Sequence, residues 1–132
     1  MPPMRRTKNK PGTYHTLKNM SYESIVVSWL MCDGWQVFMP VIDNAHKTDI
    51  LISDGPNYYR IQVKTFDANE DDFIIKNKWS GSTIDYVVLF ARNSDWGYIV
   101  PAFKEKKRPL HHKTHRKFFQ KRKSFLKEFH YM

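Results

Sequence analysis

The stretch from residue 47 to residue 66 constrains the fold most strongly. It reads KTDILISDGPNYYRIQVKTF, two runs rich in β-branched and aromatic residues, separated by Asp-Gly-Pro-Asn. Such runs around a cluster of turn-forming residues are typical of a β-hairpin. We therefore predict strands Lys47–Ser53 and Tyr58–Phe66, joined by a turn over Asp54–Asn57.

This hairpin carries polar residues where a half-buried strand would place them at a cost. A turn over residues 54–57 pairs Ser53 with Tyr58, and counting outward pairs Asp49 with Gln62. Side chains alternate between the faces of a strand, so Gln62 and Lys64 point the same way. Directly opposite residues have Cβ atoms about 4.5–5.5 Å apart, so one small ion could contact both Asp49 and Gln62. We expect one polar cluster on the sheet.

The rest of the chain predicts a mixed sheet with helices against it, in an α/β or α+β arrangement. A helix should start at Ser21, end near Asp33 and stop at Gly34. A second, basic amphipathic helix is predicted over 113–129. The remaining predicted strands are Trp35–Val41, Phe73–Lys76, Tyr86–Ala91 and Trp96–Val100, with polar loops at 43–46 and 67–72.

Charge is distributed unevenly along the 132 residues. Residues 1–20, 21–103 and 104–132 carry net charges of +5, −5 and +9. We interpret them as a flexible basic N-terminal arm, a core and a basic C-terminal helical extension. Basic segments attract polyanions through counterion release, which favours nucleic acid as the partner. Solubilising tails would have the same composition.

Composition excludes several classes of protein. The single Cys32 excludes a disulfide framework and a cysteine-built zinc site. No apolar run approaches the roughly 20 residues of a membrane span. No hydrophobic region follows the charged N-terminus, so it is not a secretory signal. We expect no membrane partner and a cytoplasmic protein of a bacterium or a phage-infected cell.

The polar residues of the hairpin suit magnesium chemistry. Asp49 supplies a hard anionic oxygen, and the Gln62 side chain and Val63 backbone carbonyls can add neutral ones. Lys64 can position or deprotonate an attacking water and offset charge on a phosphate. Glu23, in the first turn of the predicted helix, is the candidate for a further carboxylate. A simple cross-strand ion pair between Asp49 and Lys64 is the structural alternative.

These residues resemble the PD-(D/E)XK nuclease superfamily, in its subset with Gln in place of the second acid. The phrase Tyr59-Arg60-Ile61-Gln62-Val63-Lys64-Thr65 is similar to that of homing endonucleases from cyanobacterial introns and phages, and residues 85–88 and 98–101 match the same group. The resemblance covers Tyr22 to Pro101. Thr48 stands where the superfamily name specifies Pro, and Gln62 carries no charge.

The resemblance implies a restriction-endonuclease-like core and a Mg²⁺-dependent endonuclease, with Mn²⁺ as a substitute. It implies hydrolysis of double-stranded DNA to 5′-phosphate and 3′-hydroxyl ends, with Glu23, Asp49, Gln62 and Lys64 as catalytic residues. One site per chain predicts a homodimer or higher symmetric oligomer. Predicted DNA contacts are Arg5, Arg6, Lys47, Arg60, Lys106, Lys107, Arg108, Arg116, Lys117, Lys121 and Arg122.

Two alternatives remain open. A structure-specific nuclease of the Holliday junction resolvase type shares this core, and a non-catalytic nucleic-acid-binding protein could be built on the same fold. Asp85 is interpreted as a turn or capping residue, and His111, His112 and His115 as DNA-contacting or solubilising histidines. Trp79 and Trp96 are expected in the core.

Overall fold

A computed structural model describes residues 3–42, 46–67 and 73–132. The predicted acidic loop at 67–72 and the loop at 43–46 fall largely outside these residues. The elements in chain order are α1 (Pro11–Cys32), β1 (Gln36–Phe38), β2 (Ile50–Ser53), β3 (Tyr58–Phe66), β4 (Ile74–Lys76), β5 (Tyr86–Ala91), β6 (Trp96–Pro101), β7 (Lys107–Pro109), β8 (Arg116–Phe119) and α2 (Arg122–Phe129).

Six strands form one mixed sheet in the order β1-β2-β3-β5-β6-β8. Strands β3 and β5 are parallel, and the other neighbours in this sheet are antiparallel. Strands β4 and β7 pair separately as a two-stranded sheet. The central mixed sheet with flanking helices is therefore present, and β3 lies near its middle.

One side of the large sheet, here called the helix face, is covered by α1 and α2. The alternate β3 residues Ile61 and Val63 contribute to this core together with Val26 of α1 and Phe125 of α2. Trp29 contacts the ring of Phe125, with centroids 5.1 Å apart. Aromatic contacts of this kind add to the burial of apolar area, so both helices are held firmly on the sheet.

The opposite side, here called the cleft face, carries a second core under the small sheet. Phe66 at the end of β3 and Leu89 of β5 are buried there with Ile75 of β4 and Trp79. Trp96 belongs to the same core, so the prediction that both tryptophans are buried is confirmed. The small sheet covers only part of this face, and β3 also presents Gln62 and Lys64 on this side.

The first helix begins at Pro11, ten residues before the predicted start at Ser21. Proline is favoured at the first helical position, because its fixed φ suits the helix and its missing N–H would have no partner there. Most of the first ten helical residues are exposed, so no apolar stripe marked them in the sequence. Gly34, with φ +97°, follows the helix as predicted.

The predicted helix over 113–129 was wrong in its first half. Residues Arg116–Phe119 form β8, which pairs with β6, and only Arg122–Phe129 are helical. Phe118 is buried, whereas Phe119 on the other side of the strand is exposed. This alternation has the period of a strand, and the surrounding lysines and arginines concealed it. Residues 104–132 thus add two strands, β7 and β8, and the helix α2 to the fold.

Strand β2 starts at Ile50, three residues later than predicted, and β1 is shorter than predicted. Lys47 has φ +63°, a left-handed conformation that interrupts an extended chain. No helix among the described residues is long and apolar enough to cross a membrane.

Candidate active site

The predicted hairpin register is confirmed. Ser53 pairs with Tyr58 and Ile50 with Ile61, which confirms the register over β2. Asp49 lies just before this ladder and hydrogen-bonds to Ile61 and Val63, the two neighbours of Gln62 in β3. Strand β3 continues to Phe66, five residues past Ile61, which pairs with the first residue of β2. The edge of β3 next to Asp49 is therefore left open by the shorter strand, and the polar residues lie around this gap.

Asp49 fills the gap with its own backbone and side chain. Its N–H donates to the Ile61 carbonyl oxygen at 3.0 Å, and its carboxylate Oδ2 accepts from the Val63 N–H at 2.8 Å. Carbonyls along a strand alternate between its two edges, so the Val63 carbonyl points to the same edge as that of Ile61. The Asp49 carboxylate and the Val63 carbonyl therefore lie on the same edge of β3, next to the first residue of β2.

Gln62 is buried, with 8% of its surface exposed. Its Oε1 is also buried and has no hydrogen-bond partner among the described residues. A buried carbonyl oxygen without a donor carries a desolvation penalty of about 1–3 kcal/mol. An oxygen atom held this way beside a carboxylate fits a site for a hard cation such as Mg²⁺, which prefers oxygen ligands.

Lys64 lies on the same face as Gln62 and is half-buried. Burial lowers the pKa of Lys64, the ammonium groups of Lys78 and Lys47 lower it further, and the Asp49 carboxylate raises it. The Asp49 carboxylate is therefore near enough to Lys64 to affect its pKa. A lowered pKa increases the fraction of neutral amine at a given pH, which suits a group that accepts a proton.

Glu23 approaches from the helix face. Asn19 lies one turn earlier on the same side of α1, and its Oδ1 accepts a hydrogen bond from the Thr65 hydroxyl at 3.3 Å. Glu23 is half-buried. The sheet separates α1 from Gln62 and Lys64, so the gap at the end of β2 is where the two sides can share a ligand.

The described residues contain no group of three or more His, Cys, Asp or Glu side chains placed to hold a metal ion. A cation at the gap would therefore depend on the amide oxygen of Gln62 and the Val63 carbonyl as well as on carboxylates. This is the donor set that the sequence predicted, and two of its ligands, the Gln62 amide oxygen and the Val63 carbonyl, are uncharged.

The predicted DNA-binding residues fall into two groups. Arg108 forms an ion pair with Glu105 and stacks over Phe103, and Arg116 pairs with Glu128 at 2.7 Å. These guanidinium groups stabilise the C-terminal segment. Arg60 is half-buried and donates to Thr48. The others are exposed: Arg5, Arg6, Lys47, Lys106, Lys107, Lys117, Lys121 and Arg122.

Two further predictions concern residues outside the site. Asp85 was interpreted as a turn or capping residue; in the structure its carboxylate accepts a hydrogen bond from the Arg60 N–H of β3 at 2.7 Å. His115 is buried rather than exposed, stacks on Phe103 and contacts the Leu110 carbonyl through Nδ1 at 3.0 Å. Burial lowers the pKa of His115 to about 4. The DNA-contact interpretation of His115 is therefore wrong.

Sequence reasoning missed Lys76 and Lys78, which line a cleft with Lys64. The order Ile75-Lys76-Asn77-Lys78-Trp79 alternates buried apolar and exposed cationic residues around an asparagine. This alternation was visible in the sequence. The strand was too short and too close to an acidic run for the lysines to stand out.

The sheet order and the helix-covered face define a restriction-endonuclease-like fold. The chain is similar to a solved bacterial homing endonuclease, I-Ssp6803I, with 17% identity and a TM-score of 0.55 over 70% of this chain and 72% of that chain. It is also similar to Hjc, a Holliday junction resolvase of Archaeoglobus fulgidus, with 17% identity and a TM-score of 0.46 over 68% of this chain and 80% of that chain.

No protein-family model matches the sequence, and no curated protein matches it significantly. The predicted nuclease resemblance is confirmed at the level of the fold by the structural comparison with the homing endonuclease.

Proposed function

We propose that this protein is a metal-dependent DNA endonuclease, of the homing type found in bacteria and their phages. The observation that carries the proposal is the buried Gln62 Oε1, which lacks a partner among the described residues. The Asp49 carboxylate is bound to the N–H of the next residue, Val63, and Lys64 lies on the same face of β3 as Gln62. A fold shared with a homing endonuclease supports the same reading.

The proposed metal site uses Asp49, the side chain of Gln62, the carbonyl of Val63 and Glu23. When bound, Mg²⁺ or Mn²⁺ would supply Lewis-acid stabilisation of charge on the phosphate. The hydrogen bond from the Val63 N–H fixes the Asp49 carboxylate at the gap, so the ligand is oriented before anything binds. Glu23 completes or orients the ligand set from the helix side.

Lys64 is proposed to position the attacking water and, as a neutral amine, to take its proton at Nζ. The water oxygen then bonds to phosphorus while the bond from phosphorus to the 3′ oxygen breaks, and that oxygen leaves as a hydroxyl after gaining a proton. The products are a 5′-phosphate and a 3′-hydroxyl. Burial of Lys64 supports this role, because it favours the neutral amine.

Each chain offers one such site, so cutting both strands of a duplex requires two copies. We propose a homodimer or a higher symmetric oligomer acting on double-stranded DNA in the cytoplasm. The exposed residues of the predicted DNA-binding set, among them Lys47, Lys106 and Lys107, would contact phosphates, which position a protein on DNA without specifying sequence.

The test is cleavage of supercoiled plasmid and of phage DNA with Mg²⁺, comparing the wild type with Asp49→Ala and Lys64→Ala. We expect discrete cuts by the wild type, loss of about thousandfold or more in rate in both variants, and no cutting with a chelator present. Lys123→Ala is the matched control, since Lys123 is exposed on α2 at the helix face. Cleavage that survives Asp49→Ala would overturn the proposed site.

A second arm uses a four-way junction as the substrate. Cuts confined to the junction would move the proposal from a homing enzyme to a structure-specific nuclease with the same site. DNA binding by all forms with no cleavage of any substrate would reject an enzyme and leave a binding protein.

A further inference from the structure

A cleft of about 380 Å³ opens on the cleft face between β3 and the small sheet. Lys64, Lys76 and Lys78 line it, and the last two are exposed. Its floor is apolar, with Phe66, Phe73 and Leu89 among the lining residues. Among the described residues no Asp or Glu lines it, so its walls are cationic and its floor can contact a sugar or a base.

The two lysines are held on a fixed piece of backbone. Asn77, between them, donates from its side chain to the carbonyls of Phe103 at 2.8 Å and Glu105 at 3.2 Å. Its N–H donates to the Lys106 carbonyl at 2.9 Å, and its Oδ1 accepts from the Trp79 N–H at 3.1 Å. These four hydrogen bonds fix the backbone at Asn77 and so fix the positions of Lys76 and Lys78 on either side of it.

Alternation then places both lysines on one side. Ile75 and Trp79 are buried, whereas Lys76 and Lys78 are exposed. Lys76 ends β4 and Lys78 follows two residues later, and both line the same cleft. Burial of Trp79, which also donates from Nε1 to the Phe103 carbonyl at 3.2 Å, anchors the far end.

Three cations, Lys64, Lys76 and Lys78, line this one cleft, and its described lining includes no acid. Asp49, outside that lining, is the acidic group that acts on Lys64. Gathering three cations around one cleft is unfavourable for folding by itself, since like charges repel. A polyanion that enters the cleft would relieve this repulsion, and a phosphodiester chain has the required charge and the required apolar sugar.

We propose that Lys76 and Lys78 bind the phosphates next to the one that is cut, so that this cleft guides the cleaved strand away from Lys64. The inference rests on the proposed function in taking DNA as the ligand. It adds two positioning residues and a direction for the strand across the cleft face. These lysines act on binding, whereas Lys64 acts on the reacting phosphate.

The experiment measures binding of a labelled duplex oligonucleotide by fluorescence anisotropy, with a chelator present and at several NaCl concentrations. We compare the wild type with K76Q/K78Q, with the charge-retaining K76R/K78R, and with K123Q/K127Q. The last makes the same change of charge on α2, at the helix face. Thermal unfolding of each form checks that the fold is retained.

We expect K76Q/K78Q to weaken binding at low salt about tenfold and to reduce the slope of log K against log [salt] by about 1 to 2, while the other two doubles keep the slope of the wild type. With Mg²⁺, K76Q/K78Q should raise KM and keep kcat, the opposite of Lys64→Ala. If the wild type binds DNA but no form cleaves it, the proposed function fails, and the salt slopes of binding still decide the inference about Lys76 and Lys78. A slope for K76Q/K78Q equal to that of K123Q/K127Q would overturn the inference, and so would the absence of duplex binding by the wild type.

Discussion

The two faces of strand β3 differ in the kind of residue that they bury. Toward the helices, Ile61 and Val63 lie in a core of apolar and aromatic side chains. Toward the cleft, Gln62 is buried with an unpartnered oxygen and Lys64 is half-buried among other cations. Burial of Ile61 and Val63 lowers the free energy of folding, whereas burial of the unpartnered Gln62 oxygen and of the Lys64 amine raises it.

In this fold one strand, β3, carries both residues that stabilise the core and residues of the candidate site. It can do so because successive side chains of a strand point to opposite faces of the sheet. His115 shows that an unpartnered buried nitrogen alone is insufficient to define a site, since its Nε2 also lacks a partner among the described residues. Gln62 differs because a carboxylate and an amine lie next to it.

The largest effect that sharpens this comparison is expected for Gln62→Leu. Removing the oxygen should lower the single-turnover cleavage rate by about 100- to 1,000-fold, and removing an unpaired buried acceptor should raise stability by about 1 kcal/mol. Gln62→Glu is the control, because it keeps an oxygen ligand and should retain cleavage. Cleavage by the Leu variant at the wild-type rate would break the comparison.

On the helix face, Ile61→Ala should do the reverse. The residue is fully buried, so truncation leaves a cavity and should lower the free energy of unfolding by about 2–4 kcal/mol. Urea denaturation measures this, and Ile61→Val should lose only about 1 kcal/mol. At a temperature where the Ala variant stays folded, we expect its kcat to be near that of the wild type. A large loss of kcat in a folded variant would show that the two faces are coupled.

The third prediction concerns pH. The pKa of His115 is about 4 in the folded protein against an ordinary value of 6.5, so the unfolded chain binds more protons between these values. The stability contributed by neutral His115 is complete above pH 6.5 and declines as the pH falls toward 4. We expect a loss of about 1–3 kcal/mol across this range in urea denaturation.

His115→Phe should remove that part of the pH dependence, because phenylalanine does not titrate and can stack on Phe103. The remaining slope would then come from carboxylates elsewhere. An unchanged slope in this variant would mean that His115 titrates normally.

The smallest effect is expected for Thr65→Val, which removes the hydrogen bond to Asn19. Stability should fall by about 0.5–1.5 kcal/mol. Cleavage should fall as well, because this bond helps to dock the helix segment that carries Glu23. Thr65→Ser keeps the hydroxyl and serves as the control. A stability loss with no change in cleavage would argue against a role of Glu23.

Much of the candidate site follows from the sequence because it depends on local rules. The turn after Ser53 defines the register of β2 against β3, and this register brings Asp49 to the part of β3 that carries Gln62 and Val63. Alternation then puts Lys64 on the same face. By contrast, the start of α1 at Pro11 and the strand β8 had no clear apolar pattern, so the sequence analysis put the first helix too late and replaced β8 with a helix.

The contributions of sequence and tertiary structure can thus be separated. The sequence by itself determined the hairpin, its register and the residue types of the polar cluster, since these depend on contacts between near neighbours in the chain. Only the tertiary structure decided that β2 begins after Asp49 and that Arg108 and Arg116 are held in ion pairs within the protein. It also decided that Lys76 and Lys78 share a cleft with Lys64. Those outcomes depend on which distant segments pack together, which local patterns do not encode.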